Sequence, residues 1–260
     1  MKIGLFVPCY IDQFYPEVAV ATLEILESLD FVEKVFYPKE QTCCGQPMAN
    51  SGCNADLPNL ANRFVNQFKH ADYIVCPSGS CVAMVRMQYR NYLETSALPM
   101  LRATLELSEF LVDIANYECG DTKFPYRVGL HQSCHGLREL GLGQSSERNG
   151  IAFNKPRSLL QQLRGIELVE LQRSDECCGF GGTFAVDEEA VSCMMGEDRI
   201  ADHQQAQAEI ITAVDMSCLM HLDGIISRKS LQLPVMHIAE ILAGRVPKSL
   251  VPDQGACDGN

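Results

Sequence analysis

Apolar residues along this chain fall into short runs that alternate with longer amphipathic stretches. Residues 2–8 (KIGLFVP) form an apolar run of strand length, and Cys9 follows at once. Val18, Ala21, Ile25 and Leu29 then recur at the spacing of one helix face. A second strand is expected over 32–37, running into Gln41, Thr42, Cys43, Cys44 and Gly45. Leu57, Leu60, Phe64 and Phe68 predict a helix in which Pro58 is tolerable only in the first turn. Residues 73–76 read as a third strand, followed by Pro77, Gly79 and Cys81, and Val82, Val85, Tyr89 and Leu93 mark another helix. The run 101–117 is helical by pattern, and 119–125 reads as a boundary.

Beyond that boundary the order repeats. A strand at 126–131 leads to Cys134, a helix includes 158–163, and a strand at 166–171 leads to Cys177, Cys178 and Gly179. A helix follows over 187–203, then a strand at 209–214 ahead of Asp215 and Cys218, where another helix begins. Residues 235–245 close the fold. The expected architecture is α/β: two pseudo-symmetric βαβ-type lobes with mainly parallel sheets, spanning 1–122 and 123–246, with a flexible tail at 247–260. Ligands of such sheets bind at the carboxyl ends of the strands, and the paired cysteines all lie just after predicted strands.

Composition narrows the function classes. A formal charge of −12 leaves no basic stripe to neutralise phosphates, so a nucleic-acid partner is not expected. No apolar run approaches the roughly 20 residues of a membrane span. The first ten residues read as a strand rather than a signal peptide, and a cytoplasmic protein is expected. The chain has thirteen cysteines. A reducing compartment does not maintain structural disulfides, so this richness points to metal binding or redox chemistry.

Eight of the cysteines fall into two sets of the same order. The first is Cys9, 33 intervening residues, Cys43 and Cys44, 36 residues, then Cys81. The second is Cys134, 42 residues, Cys177 and Cys178, 39 residues, then Cys218. Four thiolates suit either zinc or a [4Fe–4S] cluster. Zinc sites space cysteines by two to four residues, whereas a cluster offers separate irons to adjacent thiolates, so two iron–sulfur clusters are the preferred reading. The Gly after each pair permits close backbone approach and N–H donation to sulfur. The run GFGGT at 179–183 lacks the spacing and context of a dinucleotide fingerprint.

These residues carry a family resemblance. The stretches TCCGQP (42–47), NSG (50–52), GSC (79–81), CCGFGGTF (177–184), SCL (217–219) and MHIAE (236–240) make the chain similar to the cysteine-rich CCG-domain family. That family includes the cysteine-rich component of heterodisulfide reductase, the glycolate oxidase iron–sulfur subunit and a lactate-utilisation branch, which is the nearer likeness. The resemblance implies an iron–sulfur electron-transfer subunit of a complex that oxidises L-lactate to pyruvate. Its implied partners are a ferredoxin-like iron–sulfur subunit and a third small subunit. The alternatives are a thiol–disulfide enzyme like the heterodisulfide reductases, or a scaffold stabilised by zinc in one or both sites. The family's fullest motif ends in CxxC and supplies five thiolates to a non-cubane cluster. Here Ser78 and Asp215 stand three residues before Cys81 and Cys218, so the fifth thiolate is missing from both halves. An oxygen ligand, an open position or an ordinary four-cysteine cluster follows. Cys76 could substitute, although a buried strand-end role is the preferred expectation.

Among remaining residues, His131 and His135 flank Cys134, and His135 is the better candidate for an auxiliary ligand. Cys53, Cys119, Cys193 and Cys257 fit no repeat. Arg138, Arg173 and Arg199 are the kind of residue that binds a carboxylate, but nothing in the sequence selects one. No catalytic triad or flavin fingerprint is visible.

Overall fold

The computed structural model describes residues 1–247. Most of the expected tail, including Cys257, lies outside the described residues. The strands are β1 (Lys2–Leu5), β2 (Lys34–Phe36), β3 (Tyr73–Cys76) and β4 (Thr104–Glu106), then β5 (Arg127–Leu130), β6 (Glu167–Leu168), β7 (Ile210–Ala213) and β8 (Val235–His237). They form two four-stranded sheets, ordered β2-β1-β3-β4 and β6-β5-β7-β8, in which every pairing is parallel. Ile3 lies opposite Val35 and Tyr73, and Val128 opposite Leu168 and Ile210, so the two registers correspond.

Strand order explains where a site must form. The chain leaves β1 for one neighbour and then crosses to the other, which makes the carboxyl ends of β1 and β3 a topological switch point. The same holds at β5 and β7. The helices after these strands are α1 (Cys9–Phe14), α2 (Pro16–Glu27), α3 (Gln46–Asn50), α4 (Leu57–Phe68) and α5 (Gly79–Ala83) in the first lobe. Helix α2 starts with Pro16 in its first turn and buries Val18, Ala21, Thr22, Ile25 and Leu26 on one face.

The expected helix over 101–117 is corrected by the structure. It is divided into α6 (Leu98–Arg102), the strand β4 and α7 (Leu107–Asp113). Ile74 of β3 pairs with Thr104, and all three residues of β4 are buried on both faces. Three fully buried residues show no alternation, so the strand is invisible to a periodicity argument. The second lobe continues with α8 (Lys155–Leu160), α9 (Phe184–Asp187), α10 (Glu189–Gln205), α11 (Met216–Arg228) and α12 (Ile238–Leu242). The strand β8 and helix α12 match β4 and α7, and a buried polar side chain caps each helix. Glu106 accepts Ser108 N–H at 2.7 Å, and His237 accepts Ala239 N–H at 3.2 Å.

The cores of the lobes differ in chemistry at equivalent places. Gly4 of β1 is covered by the Phe68 ring, and a Cβ there would lie 2.5 Å from Phe68 Cδ1. Gly129 of β5 is covered by His203, and a Cβ there would lie 2.1 Å from its Nδ1. Two residues on, Phe6 packs on Phe68 with ring centroids 6.0 Å apart, whereas the matching residue of the second lobe is His131. A phenyl pair in one lobe is thus an imidazole pair in the other.

The lobes meet about a pseudo-twofold axis. Ser78 and Asp215, equivalent by position, form an antiparallel bridge with each other, and Gly79 N–H donates to Val214 O at 3.3 Å. Gly79 also approaches Gly136 closely, since a Cβ at Gly79 would sit 3.2 Å from Gly136 N. Helix α12 packs against α2 across the same junction.

Candidate metal centre

Each cysteine set is assembled by loops that the sequence shapes locally. Cys9 opens α1 directly after β1, and Cys81 lies in the first turn of α5 after β3. Gln41 holds the intervening loop to the end of β1, donating to Leu5 O at 3.3 Å and accepting Val7 N–H at 2.7 Å. The vicinal pair turns through Gly45 at φ 84°, and Gly45 N–H donates to Cys43 Sγ at 3.4 Å. In the second lobe Gly179 has φ 89°, and its N–H donates to Cys177 Sγ at 3.3 Å. A side chain at Gly179 would stand 2.6 Å from Ser192 O, so glycine is required by space as well as by φ. A buried hydroxyl fixes each pair: Tyr89 Oη donates to Cys44 O at 2.9 Å, and Ser192 Oγ to Gly179 O at 2.8 Å.

The thiols run in the same order in both lobes. Cys9 and Cys43 are 3.8 Å apart, Cys44 interacts with Cys43 and Cys81, and Cys81 with Cys76. In the second lobe Cys134 meets Cys177, Cys177 meets Cys178, and Cys178 meets Cys218. Cys218 in turn meets His131, whose ring lies with the Cys178 and Cys218 sulfurs in one group of atoms all within 4.8 Å of one another. Each four-cysteine chain therefore ends on one more buried donor, a thiol in the first lobe and an imidazole in the second. Cys76 is a buried strand-end residue, as expected, and it also touches the site.

Proton affinities alternate along each chain. Hydrogen bonding from Cys44 and Cys9 holds Cys43 down to about 3, and Cys44 and Cys76 hold Cys81 down to about 5. Cys177 is held down to about 2 by Cys134 and Cys178, and Cys218 to about 6 by Cys178 with His131 acting the same way. The intervening Cys9, Cys44, Cys134 and Cys178 are pushed up by hydrogen bonding to their neighbours and by burial. Grouped thiolates repel one another, and an uncompensated buried charge is costly.

All eight cysteines line one cavity of about 230 Å³ that spans the pseudo-twofold. Tyr10 and Phe180, from opposite lobes, meet edge-to-face over it at 5.9 Å. Among the described residues no Lys or Arg lines this cavity, while Asp215 does. The cation that thiolates here require is thus not supplied by the lining side chains, and the donor set fits thiolate-bound metal.

Other sequence candidates are distributed as follows. Ser78 and Asp215 line the cavity, but their oxygens are engaged in capping: Ser78 Oγ accepts Cys81 N–H at 3.3 Å, and Asp215 accepts Ser80 N–H at 2.7 Å. His135 also lines it, with its Nε2 3.1 Å from Gln46 Nε2 of the other lobe. His131 is grouped with the Cys178 and Cys218 sulfurs, and the contrast of Phe6 with His131 across the two halves is the sequence signal that points to it. Arg199 is fully buried with Asp202, Arg173 pairs with Glu176, and Arg138 with Glu147, and none of them lines the cavity. Cys53 is exposed, and Cys119 is buried against Leu159 O.

The repeated site has a counterpart among known proteins. The pattern of the CCG cysteine-rich domain matches residues 3–86 and again 128–223. The chain belongs to the CCG cysteine-rich domain family. Each CCG match contains one full set of four cysteines. Lactate utilization protein A of Geobacillus kaustophilus is 39% identical over 251 residues, covering 94% of this chain and 100% of the relative. Lactate utilization protein A 2 of Bacillus cereus strain Q1 is 35% identical over 254 residues, covering 95% and 100%. Among solved structures, a glutamate racemase from Bacillus anthracis aligns with TM-score 0.37 at 9% identity, covering 93% of this chain and 78% of that one. The Picrophilus torridus aspartate racemase aligns with TM-score 0.35 at 14% identity, covering 93% and 90%. At such scores these two likenesses carry no argument about this CCG protein.

Proposed function

We propose that the two cysteine sets hold iron–sulfur clusters and that the chain is the electron-transfer subunit of a complex oxidising L-lactate to pyruvate. The observation that carries this reading is the single cavity lined by both sets of thiols. Bound clusters would supply one-electron storage in each lobe. The chain's own residues would do the rest. Cys9, Cys43, Cys44 and Cys81 bind on one side, and Cys134, Cys177, Cys178 and Cys218 on the other. The Gly45 and Gly179 N–H groups stabilise charge on sulfur, and Tyr10 with Phe180 shields the sites from water. Such donors and the exclusion of water tune cluster potentials.

The lactate assignment rests on the names of the relatives, and the cavity's chemistry supports a subunit that does not bind lactate by itself. A carboxylate entering it would meet Asp215 and no lining cation. Partners of the ferredoxin-like kind would dock through complementary charge, for which the formal charge of −12 suits a basic surface. The test is anaerobic dye reduction by the cluster-loaded chain, alone and with partner subunits. L-lactate-dependent reduction only in the reconstituted mixture, slowing as salt rises, is the expected result. Robust turnover by the chain alone overturns the subunit reading, and disulfide reduction without lactate activity in any mixture favours the heterodisulfide-type alternative.

A second reading has one observation in its favour. The 3.8 Å between Cys9 and Cys43 sulfurs is about the edge of a tetrahedron built on zinc–sulfur bonds of about 2.3 Å. Zinc would make either site a colourless structural scaffold, and metal and sulfide analysis of anaerobically purified protein separates the two.

A further inference from the structure

The two cysteine chains differ where each ends, and the difference lies on the sulfurs. In the first lobe the residue two places after β1's Gly4 is Phe6, packed among Phe64 and Phe68. In the second lobe the corresponding residue after Gly129 is His131, which is 0% exposed. Both ring nitrogens of His131 are buried, and the group its ring meets is the Cys218 thiol. Burying an imidazole costs free energy unless its nitrogens find partners, and the matching position of the first lobe carries a phenyl ring with no such need. What the imidazole faces is the pair Cys178 and Cys218, with the ligand atoms of all three within 4.8 Å of one another. His203, in the place that Phe68 occupies in the first lobe, stands beside it and is held neutral by burial and by Arg199. The first lobe fills the corresponding role with sulfur: Cys76 touches Cys81, and the equivalent residue of the second lobe is Ala213.

We propose that His131 is a direct ligand of the second-lobe metal centre, which makes that centre a mixed cysteine–histidine site and the more easily reduced of the two. The inference rests on the reading of both cysteine sets as iron–sulfur sites. An imidazole ligand is neutral where a thiolate is anionic, so it withdraws less from the ability of the centre to accept an electron. Replacing thiolate by imidazole raises the potential in clusters that have both kinds of ligand. The second lobe would then hold the electron when one electron is shared between the lobes.

The test uses the full chain loaded with iron and sulfide without oxygen and reduced by dithionite. Cys178→Ser identifies the second-lobe signal by its loss. Pulsed electron paramagnetic resonance of the wild type is expected to show a strongly coupled nitrogen on that signal, and a redox titration to place it above the first-lobe signal. His131→Phe, which installs the side chain of the first lobe, is expected to abolish the coupling. His131→Cys, which restores a thiolate, is expected to lower the second-lobe potential while the first stays in place. A second-lobe signal without directly bound nitrogen in the wild type overturns the ligand assignment whatever the variants do. Bound nitrogen with a potential below that of the first lobe overturns the ordering. If Cys178→Ser removes no iron, the iron–sulfur reading of this lobe falls, and the His131 inference falls with it.

Discussion

Ser80 of the first lobe donates its backbone N–H to the Asp215 carboxylate of the second at 2.7 Å. Asp215 also accepts the N–H and hydroxyl of Ser217, so one buried carboxylate caps the helices that carry Cys81 and Cys218. Asp215→Ala leaves these donors buried without an acceptor. A loss of about 2–3 kcal/mol is expected, read from urea unfolding of the apo chain. Asp215→Asn, which can still accept but carries no charge, should lose less. An unchanged midpoint for the alanine variant would remove the carboxylate from this role.

Gly179→Ala and Gly52→Ala separate space from backbone conformation. Both glycines have positive φ, but a Cβ at Gly179 meets Ser192 O at 2.6 Å, whereas nothing lies within 4 Å of one at Gly52. Gly52→Ala should cost about 1 kcal/mol of left-handed strain. Gly179→Ala should cost at least twice that and lower metal uptake by the second lobe, because the loop holding Cys177 and Cys178 must shift. Equal melting temperatures for the two would show that the second lobe yields easily at this turn.

Metal content should divide by lobe. Cys44→Ser and Cys178→Ser are expected to remove the metal of their own lobe and to leave the other. Exposed Cys53→Ser should change neither metal content nor melting temperature. Binding energy at a poorly organised apo site is also folding energy, so each ligand variant should melt earlier than the wild type. Equal iron loss from all three variants would sink the division.

Stability should peak in mildly acidic solution, because two matching helix caps are buried in their neutral forms. Burial holds His237 down to about 4 from an ordinary 6.5. Above pH 6.5 neither state is protonated there and this histidine takes nothing from stability. Between 6.5 and 4 the unfolded chain takes up a proton that the folded chain refuses, a loss of up to about 3 kcal/mol. Burial pushes Glu106 up to about 8 from 4.5, so its contribution is complete below pH 4.5 and declines as pH rises towards 8. His237→Asn should flatten the acid limb of an apo stability curve, and Glu106→Gln the alkaline limb. Parallel curves for variants and wild type would contradict these assignments.

The hydrophobic pattern was enough for the paired parallel lobes, since strands such as 2–5 and 210–213 are apolar runs between clear helix stripes. It was not enough for β4, where three buried residues sit between two helices and carry no period of their own. The cysteine sets were legible because identical chemistry recurs in the same order. Asp215 and His131 were harder to interpret for a physical reason. The first acts across the junction between lobes, and the second reaches sulfur from β5, so neither role is local in the chain. Spacing alone favoured His135, which is next to Cys134 in sequence and lines the cavity beside Gln46.

The antiparallel bridge between Ser78 and Asp215 bears on how such a chain can arise. In a symmetric pair of identical half-length proteins, the residue on the axis would face its own copy. Aspartate against aspartate would bury two like charges together, and serine against serine would leave the Ser80 N–H without its carboxylate. When both halves belong to one chain, one copy can become the acid and the other the hydroxyl. Joining the halves therefore does more than keep them together: it frees the axis from self-complementarity. It lets the two metal sites diverge while they continue to share a cavity.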